Sequence, residues 1–325
     1  MRAPLTVTIA ICTWNRVALL AQTLTRFEQL ITPDGVDWTV LVVNNASTDG
    51  TATLLESWAP PYSFRFVFEP TPGLSAARNR ALAECRSDLI LFTDDDVLAE
   101  PDWLVHFVAA SRRHPEGAAF GGRIAPWFPH PPDRLLAAAF PALRRGFCAI
   151  DLPCAEGPVP AGCDLVGANM GFRAAAIAGL RFREDLGTNQ AGTVGGDEMD
   201  FQAQIKARGG EVIWVPTMRV QHYVEPGRMT RQYLLKFAED GGRREIRLRG
   251  EPPGTAVAGI PRWLVREAIG AQLRAMWSLV RGRQVDALVH LRRRHEFVGM
   301  IRECRAREAR RKRGLHVPAT ALQWE

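Results

Sequence analysis

The chain has 325 residues, enough to bury a sizeable core in one large domain or two. With 46% hydrophobic and 23% charged residues it is not a disordered or low-complexity chain, and it lacks the run of about 20 apolar residues that a spanning helix needs. The net charge of +6 hides an asymmetry: residues 1–225 carry 19 Lys and Arg against 25 Asp and Glu, and residues 226–325 carry 22 against 10. A basic C-terminal third suits an anionic partner.

The opening, MRAPLTVTIAIC, has no basic start, long apolar stretch or small-residue cleavage site, so no secretory signal is expected and the protein is placed in the cytoplasm. Six cysteines at 12, 85, 148, 154, 163 and 304 form no CxxC pair, which predicts reduced thiols and no zinc. Leu5–Cys12 is β-rich and reads as a strand buried on both faces. A helical pattern follows, and then a strand over DWTVLVV entering a turn rich in Asn, Ser, Asp and Gly. TATLLESW is a short helix, FRFVFE a strand, GLSAARNRALAEC a helix, DLILFT a strand and PDWLVHFVAASRRH a helix. This alternation predicts a parallel sheet covered by helices. In such sheets ligands bind outside the carboxyl ends of the strands, where the loops TWNR, NNASTD and TDDD all fall.

After Ala118 the alternation weakens. WFPHPPDR and DLPCAEGPVPAGC read as loops, and DLVGANMGFRAAAI as a strand entering a helix. GGDEMDFQAQIKARGG reads as a helix with its acids at the start, where the helix dipole favours them. EVIWVP and MRVQHYV read as two strands and MTRQYLLKFAEDGGRREIRLRG as a helix. EPPGTAVAGIP is a linker. Residues 262–313 are two basic amphipathic helices broken near RGRQ, with Trp263, Leu264, Ile269, Leu273, Trp277, Leu279 and Val280 interleaved with Arg266, Arg274 and Arg281. Such a face suits an anionic membrane surface, and equally packing on the rest of the chain or on a second subunit.

Three like charges, Asp94, Asp95 and Asp96, stand where the apolar strand DLILFT stops. They repel one another unless a positive group is present. The DxD spacing puts Asp94 and Asp96 on one side of an extended backbone, and hard divalent cations take carboxylate oxygens together with phosphates.

In order along the chain, VTIAICTWNRVALL, VLVVNNASTDGT, GLSAARNRAL, FTDDDVLAEPDWL, GGDEMDFQAQIKARGG and VPTMRVQHYV resemble the motifs of the family 2 glycosyltransferases, over about Thr6–Gly242. The resemblance implies the α/β GT-A fold: a Rossmann-like, mostly parallel central sheet flanked by helices, with a C-terminal helical extension. It implies a GT-A domain over 1–249, with a nucleotide-sugar half to about residue 117 and an acceptor half over 118–249. A linker over 250–261 and a basic helical extension over 262–325 complete the division. Thr13, Asn15 and Arg16 are implied to line the nucleotide pocket, with Arg78 either on the diphosphate or paired with the aspartates. Asn44 stands where the family commonly has an Asp that reads the base. Asp94 is placed at the ribose, Asp95 either facing away or at the donor sugar, and Asp96 and His222 on Mn2+ or Mg2+. The family's Glu-Asp pair is inverted here, so Glu198 takes the place of the base that deprotonates the acceptor, with Asp197 as the alternative.

The expected function is metal-dependent, inverting transfer of a hexosyl unit from a UDP-, TDP- or GDP-sugar to an acceptor hydroxyl. The acceptor is a lipid-linked sugar, a growing polysaccharide or a small molecule, met in the cytoplasm or at the inner face of the membrane. One alternative is a sugar nucleotidyltransferase, which the lack of glycine in CTWNR disfavours. Another is a non-catalytic membrane or nucleic-acid adaptor on the same fold. No nucleic-acid motif is present, so no nucleic-acid partner is expected.

Overall fold

A computed structural model describes residues 3–187, 195–316, 322 and 324. Its elements, in chain order, begin with β1 (Leu5–Thr13), α1 (Val17–Arg26), β2 (Val36–Asn44), α2 (Thr51–Ser57) and β3 (Ser63–Phe68). Next come α3 (Leu74–Glu84), β4 (Leu89–Asp94), β5 (Val97–Ala99), α4 (Trp103–Arg113) and β6 (Gly117–Trp127). Then follow α5 (Arg134–Leu143), β7 (Gly157–Pro158), β8 (Met170–Arg173), α6 (Asp197–Ala207) and β9 (Glu211–Tyr223). The last are α7 (Arg231–Arg249), β10 (Ala256–Val257), β11 (Ile260–Pro261), α8 (Arg262–Val280) and α9 (Gln284–Lys312).

Contacts divide the chain into two compact units. The first comprises the described residues within 1–127, 149–193 and 197–223. Its sheet, nine-stranded among the described residues, runs β3-β2-β1-β4-β8-β6-β9-β5, with β7 paired to β9. Strands β3, β2, β1 and β4 are parallel, as the alternation predicts. Ile9, Ile11, Val40 and Val42 are fully buried, because helices cover both faces of this part. In register, Thr13 pairs with Asn44 and Cys12 with Asp94, so the loops after β1, β2 and β4 leave one edge of the sheet. Beyond β4 the sheet is mixed: β8 is antiparallel to β4 and β6, β9 is parallel to β6, and β5 is antiparallel to β9.

Strand β5 lies at the far end of this path from β3, yet only Asp95 and Asp96 separate it from β4. The sheet therefore curls until its last strands return to the end of β4. Where the sequence reads two strands, β9 is one. Its pairing with β6 jumps from Val215 to Arg219, a bulge that starts at Pro216, which has no N–H to give to a ladder. Strands β5 and β6 and helix α5 were not read from the sequence.

The second unit comprises the described residues within 128–148, 194–196 and 224–325. The sequence reading draws a boundary after residue 249; by contacts, α7 groups with α8 and α9. Leu136, Leu143, Phe147, Leu234 and Leu288 share one apolar cluster, and Ile246, Leu264, Phe297, Met300 and Cys304 another. The segment read as a linker contains the β10–β11 hairpin.

Candidate active site

The acidic triplet comprises the last residue of β4, Asp94, and the two-residue link to β5, and Arg16 and His222 face it. Arg16 donates from Nη1 to Asp95 Oδ1 at 3.2 Å and to Asp96 Oδ2 at 2.5 Å. His222 presents Nε2 to Asp94 Oδ2 at 3.5 Å and to Asp96 Oδ1 at 3.3 Å. Pairing of His222 with Val97 in the β5–β9 ladder, and donation by Tyr223 N–H to the Asp96 carbonyl, carry it there. Asp95 points inward and accepts from Thr13 Oγ1 at 2.7 Å, while Thr23 Oγ1 donates to its carbonyl at 3.0 Å. Burial raises the Asp95 carboxyl to about 7; Arg16 and Thr13 oppose this, and the neighbouring aspartates add to it. Burial also raises Asp94, but the hydrogen bond and charge of His222, with Arg78 and Arg16, bring it below the usual carboxylate value.

His222 Nδ1 lies 2.8 Å from the Tyr223 carbonyl oxygen. That oxygen only accepts, so Nδ1 carries a hydrogen and Nε2 is the ring nitrogen turned toward the two carboxylates. One atom from each of Asp94, Asp96 and His222 lies within 4.8 Å of the others. Two carboxylate oxygens and one imidazole nitrogen, with the ring held by its other nitrogen, form a donor set that fits a divalent cation.

A second group lies at the start of α6. Arg78, on α3 and 3% exposed, donates Nη1 to Asp197 Oδ2 at 2.7 Å and Nη2 to Glu198 Oε1 at 3.0 Å. Its guanidinium also stands 5.5 Å from the centroid of the Phe182 ring. Asp197 is buried and accepts from Ser75 Oγ at 3.1 Å. Ser75 is three residues before Arg78, on the same helix face. Glu198 is half-buried and also accepts from the Gly167 N–H. Among the described residues no hydrogen bond is directed to its Oε2. A Cβ on Gly167 would stand 2.0 Å from Arg78 Nη2, so residue 167 must be this small for the guanidinium to reach both acids. Burial raises the Glu198 carboxyl, Arg78 opposes the rise, and Asp197 and Asp94 add to it. The charges of Asp197 and Glu198 overcome burial and hold Arg78 firmly protonated.

Asn15 and Asn44 tie loops together. Asn15, at φ 53°, accepts from Thr48 N–H at 2.7 Å, and Asn44 Oδ1 accepts from Ser47 N–H at 3.0 Å. The structure thus gathers Thr13, Arg16, Asp94, Asp95, Asp96 and His222 into one group, and Arg78, Asp197 and Glu198 into another. Sequence reasoning missed Gly167, Ser75 and Thr23. Only the i, i+3 spacing of Ser75 and Arg78 could have suggested one of them.

Residues 8–127 match the profile described as Glycosyl transferase family 2. The succinoglycan biosynthesis protein ExoM of Rhizobium meliloti (strain 1021) is 27% identical over 248 residues, which is 75% of this chain and 75% of ExoM. The validoxylamine A glucosyltransferase of Streptomyces hygroscopicus subsp. limoneus is 33% identical over 149 residues, 42% of this chain and 32% of that protein. Among solved structures, S. aureus TarS 1-349 in complex with UDP-GlcNAc covers 97% of this chain, and 93% of that chain is matched, at TM-score 0.52 and 14% identity. The mannosyltransferase PcManGT from Pyrobaculum calidifontis, in complex with GDP-Man and Mn2+, covers 88% of this chain, and 85% of that chain is matched, at TM-score 0.52 and 19% identity. These likenesses show the GT-A fold.

Proposed function

We propose that this chain, whose residues 8–127 match the glycosyl transferase family 2 profile, is a member of that family and transfers a hexosyl unit from a nucleotide diphospho-sugar to an acceptor hydroxyl with inversion. The observation that carries the reading is the meeting of Asp94, Asp96 and His222 at the carboxyl end of β4, where a parallel sheet binds its ligands. Support comes from the complexes of TarS with UDP-GlcNAc and of PcManGT with GDP-Man and Mn2+. ExoM, by its name a succinoglycan biosynthesis protein, favours a polysaccharide or lipid-linked sugar acceptor.

Asp94, Asp96 and His222 would hold a divalent cation, Mn2+ or Mg2+. Bound there, it would offset the charge that grows on the leaving diphosphate. Thr13, Asn15, Arg16 and Asn44 line the nucleotide side, and Asp95 keeps Arg16 beside the diphosphate. Arg78 is assigned a positioning role: it holds Glu198 Oε1 so that Oε2 faces the acceptor. Glu198 takes the acceptor proton as the hydroxyl attacks the anomeric carbon opposite the leaving diphosphate. Its raised pKa makes it a stronger base than an ordinary carboxylate.

Calorimetry with UDP, TDP and GDP tests this. Wild type is expected to bind at least one of them with Mn2+ and to lose that binding in EDTA. Asp96→Asn is expected to abolish the metal-dependent part while the fold persists. Equal nucleotide affinity with and without metal would overturn the role given to the three residues.

A further inference from the structure

Helix α8 has two apolar faces. Leu264, Ala271, Ala275 and Ser278 are buried, and Leu264 joins Phe297, Met300 and Cys304 of α9 in one cluster. The opposite face is also apolar and uncovered: Val265, Ile269, Leu273, Met276, Trp277 and Val280 are 41–79% exposed. Their spacing follows one stripe of a 3.6-residue helix, about 22 Å long from Val265 to Val280 at the helical rise per residue. A buried core face cannot explain this stripe, because the core face is already present on the other side.

The charges beside the stripe are almost all of one sign. Residues 262–283 contain five arginines and one acid, Glu267, which lies 3.6 Å from Arg266 and 3.8 Å from Arg274. Arg281 stands over the Trp277 ring, 4.6 Å from its centroid. A second copy docking through the same face would set these arginines against their own counterparts, since a two-fold contact pairs a patch with itself. An anionic lipid surface meets both features: it takes Trp and Leu below the headgroups and attracts the arginines at their level.

We propose that α8 is a monotopic membrane-docking helix that lies in the plane of an anionic bilayer, with the stripe from Val265 to Val280 inserted. No helix among the described residues is long and apolar enough to cross a membrane. The inference stands apart from the sugar-transfer reading, because lipid alone is its probe.

The test is co-sedimentation of the full chain with vesicles. Wild type is expected to pellet with phosphatidylcholine–phosphatidylglycerol vesicles, not with phosphatidylcholine alone, and to be released by high salt. Ile269→Gln, Leu273→Gln and Trp277→Gln together are expected to abolish pelleting with no loss in melting temperature, since all three are exposed. Arg266→Gln with Arg274→Gln should weaken it roughly thirtyfold. Should the triple variant fail to fold, Trp277→Phe decides: the vesicle-induced blue shift of wild-type tryptophan emission should shrink in it, and an undiminished shift overturns the proposal. Undiminished pelleting of the folded triple variant, equal pelleting with neutral vesicles, or a wild-type dimer that ignores vesicles and dissociates in the triple variant would also overturn it.

Discussion

Asp197 and Glu198 are adjacent acids that share one arginine and differ in what surrounds them. Asp197 is buried and takes its bonds from Arg78 and Ser75 on Oδ2, whereas Glu198 is half-buried and takes its bonds from Arg78 and Gly167 on Oε1. Their substitutions should therefore fail differently. Glu198→Gln keeps the shape and a hydrogen-bonding oxygen for Arg78 but cannot take a proton. It is expected to lower kcat at least ~10²-fold with near-normal melting temperature and donor affinity. Asp197→Asn keeps an accepting oxygen but removes the buried carboxylate charge beside the Arg78 guanidinium, a loss of up to about 3–5 kcal/mol by analogy with other broken buried pairs, and should show first as a lower melting temperature. The opposite pattern, with Asp197→Asn stable and inactive and Glu198→Gln active, would move the base to Asp197. The pH profile follows from the direction of the Glu198 shift. Burial, with Asp197 and Asp94, lifts its pKa against the opposing Arg78. The base works as a carboxylate, so activity should fall as pH drops through that raised value. The acid limb of kcat is then expected above the ordinary glutamate value near 4.3, and a limb at or below that value would count against Glu198.

At the scale of elements, the crossing of α7 and α9 rests on two glycines. A Cβ on Gly242 would meet the Glu296 carbonyl oxygen at 1.9 Å, and one on Gly299 would meet the Glu239 carbonyl oxygen at the same distance. Both obstacles are backbone, so the helices would have to separate. Gly299→Ala is expected to cost about 1–3 kcal/mol, read as a lower thermal midpoint with the far-ultraviolet helical signal retained; an unchanged midpoint would mean the crossing is loose. The sequence held no hint of this contact, since both glycines lie inside helical patterns. Other elements were legible in proportion to how locally they are determined. Strands β1, β2 and β4 are continuous apolar runs because both their faces are buried. Strand β5 is three residues long and exists by pairing with β9, and β6 begins with the glycine-rich GAAFGG. Helix α5 carries Pro141 in its interior and follows a proline-rich stretch, which disguised it. Pro216 at the bulge made β9 look like two strands. The meeting of Asp94, Asp96 and His222 was readable only in part, because the motifs put Asp96 and His222 on a cation but Asp94 at the ribose. The direction taken by Arg78 was not readable, because a motif does not say which of several acids a guanidinium will meet.

At the scale of the whole molecule, the chain passes between its two units several times. The second unit is assembled from the described residues within 128–148, 194–196 and 224–325. A cut at a boundary visible in the sequence therefore need not release a folded piece. A chain ending at Gly259 would keep α5 and α7 and lose α8 and α9. Leu288 would leave the cluster it shares with Leu136, Phe147 and Leu234, and Phe297, Met300 and Cys304 would leave Ile246. The loss of Leu288, Phe297 and Met300 alone removes three buried side chains worth about 1.5–3 kcal/mol each. Their sum is comparable with the roughly 5–15 kcal/mol that holds an ordinary domain folded. Arg247 would also lose its ion pair with Glu303, and Glu251 its pairs with Arg307 and Arg311. The truncated chain is therefore expected to be recovered as aggregate, or as a soluble species without a cooperative thermal transition. Size-exclusion chromatography with circular-dichroism melting measures both. A monomer that melts cooperatively near the wild-type temperature would show that α8 and α9 are an appendage. The full chain is thus the right material for every vesicle and nucleotide experiment described above, and point substitutions on the exposed face of α8 are the right perturbation, because they leave this shared core intact.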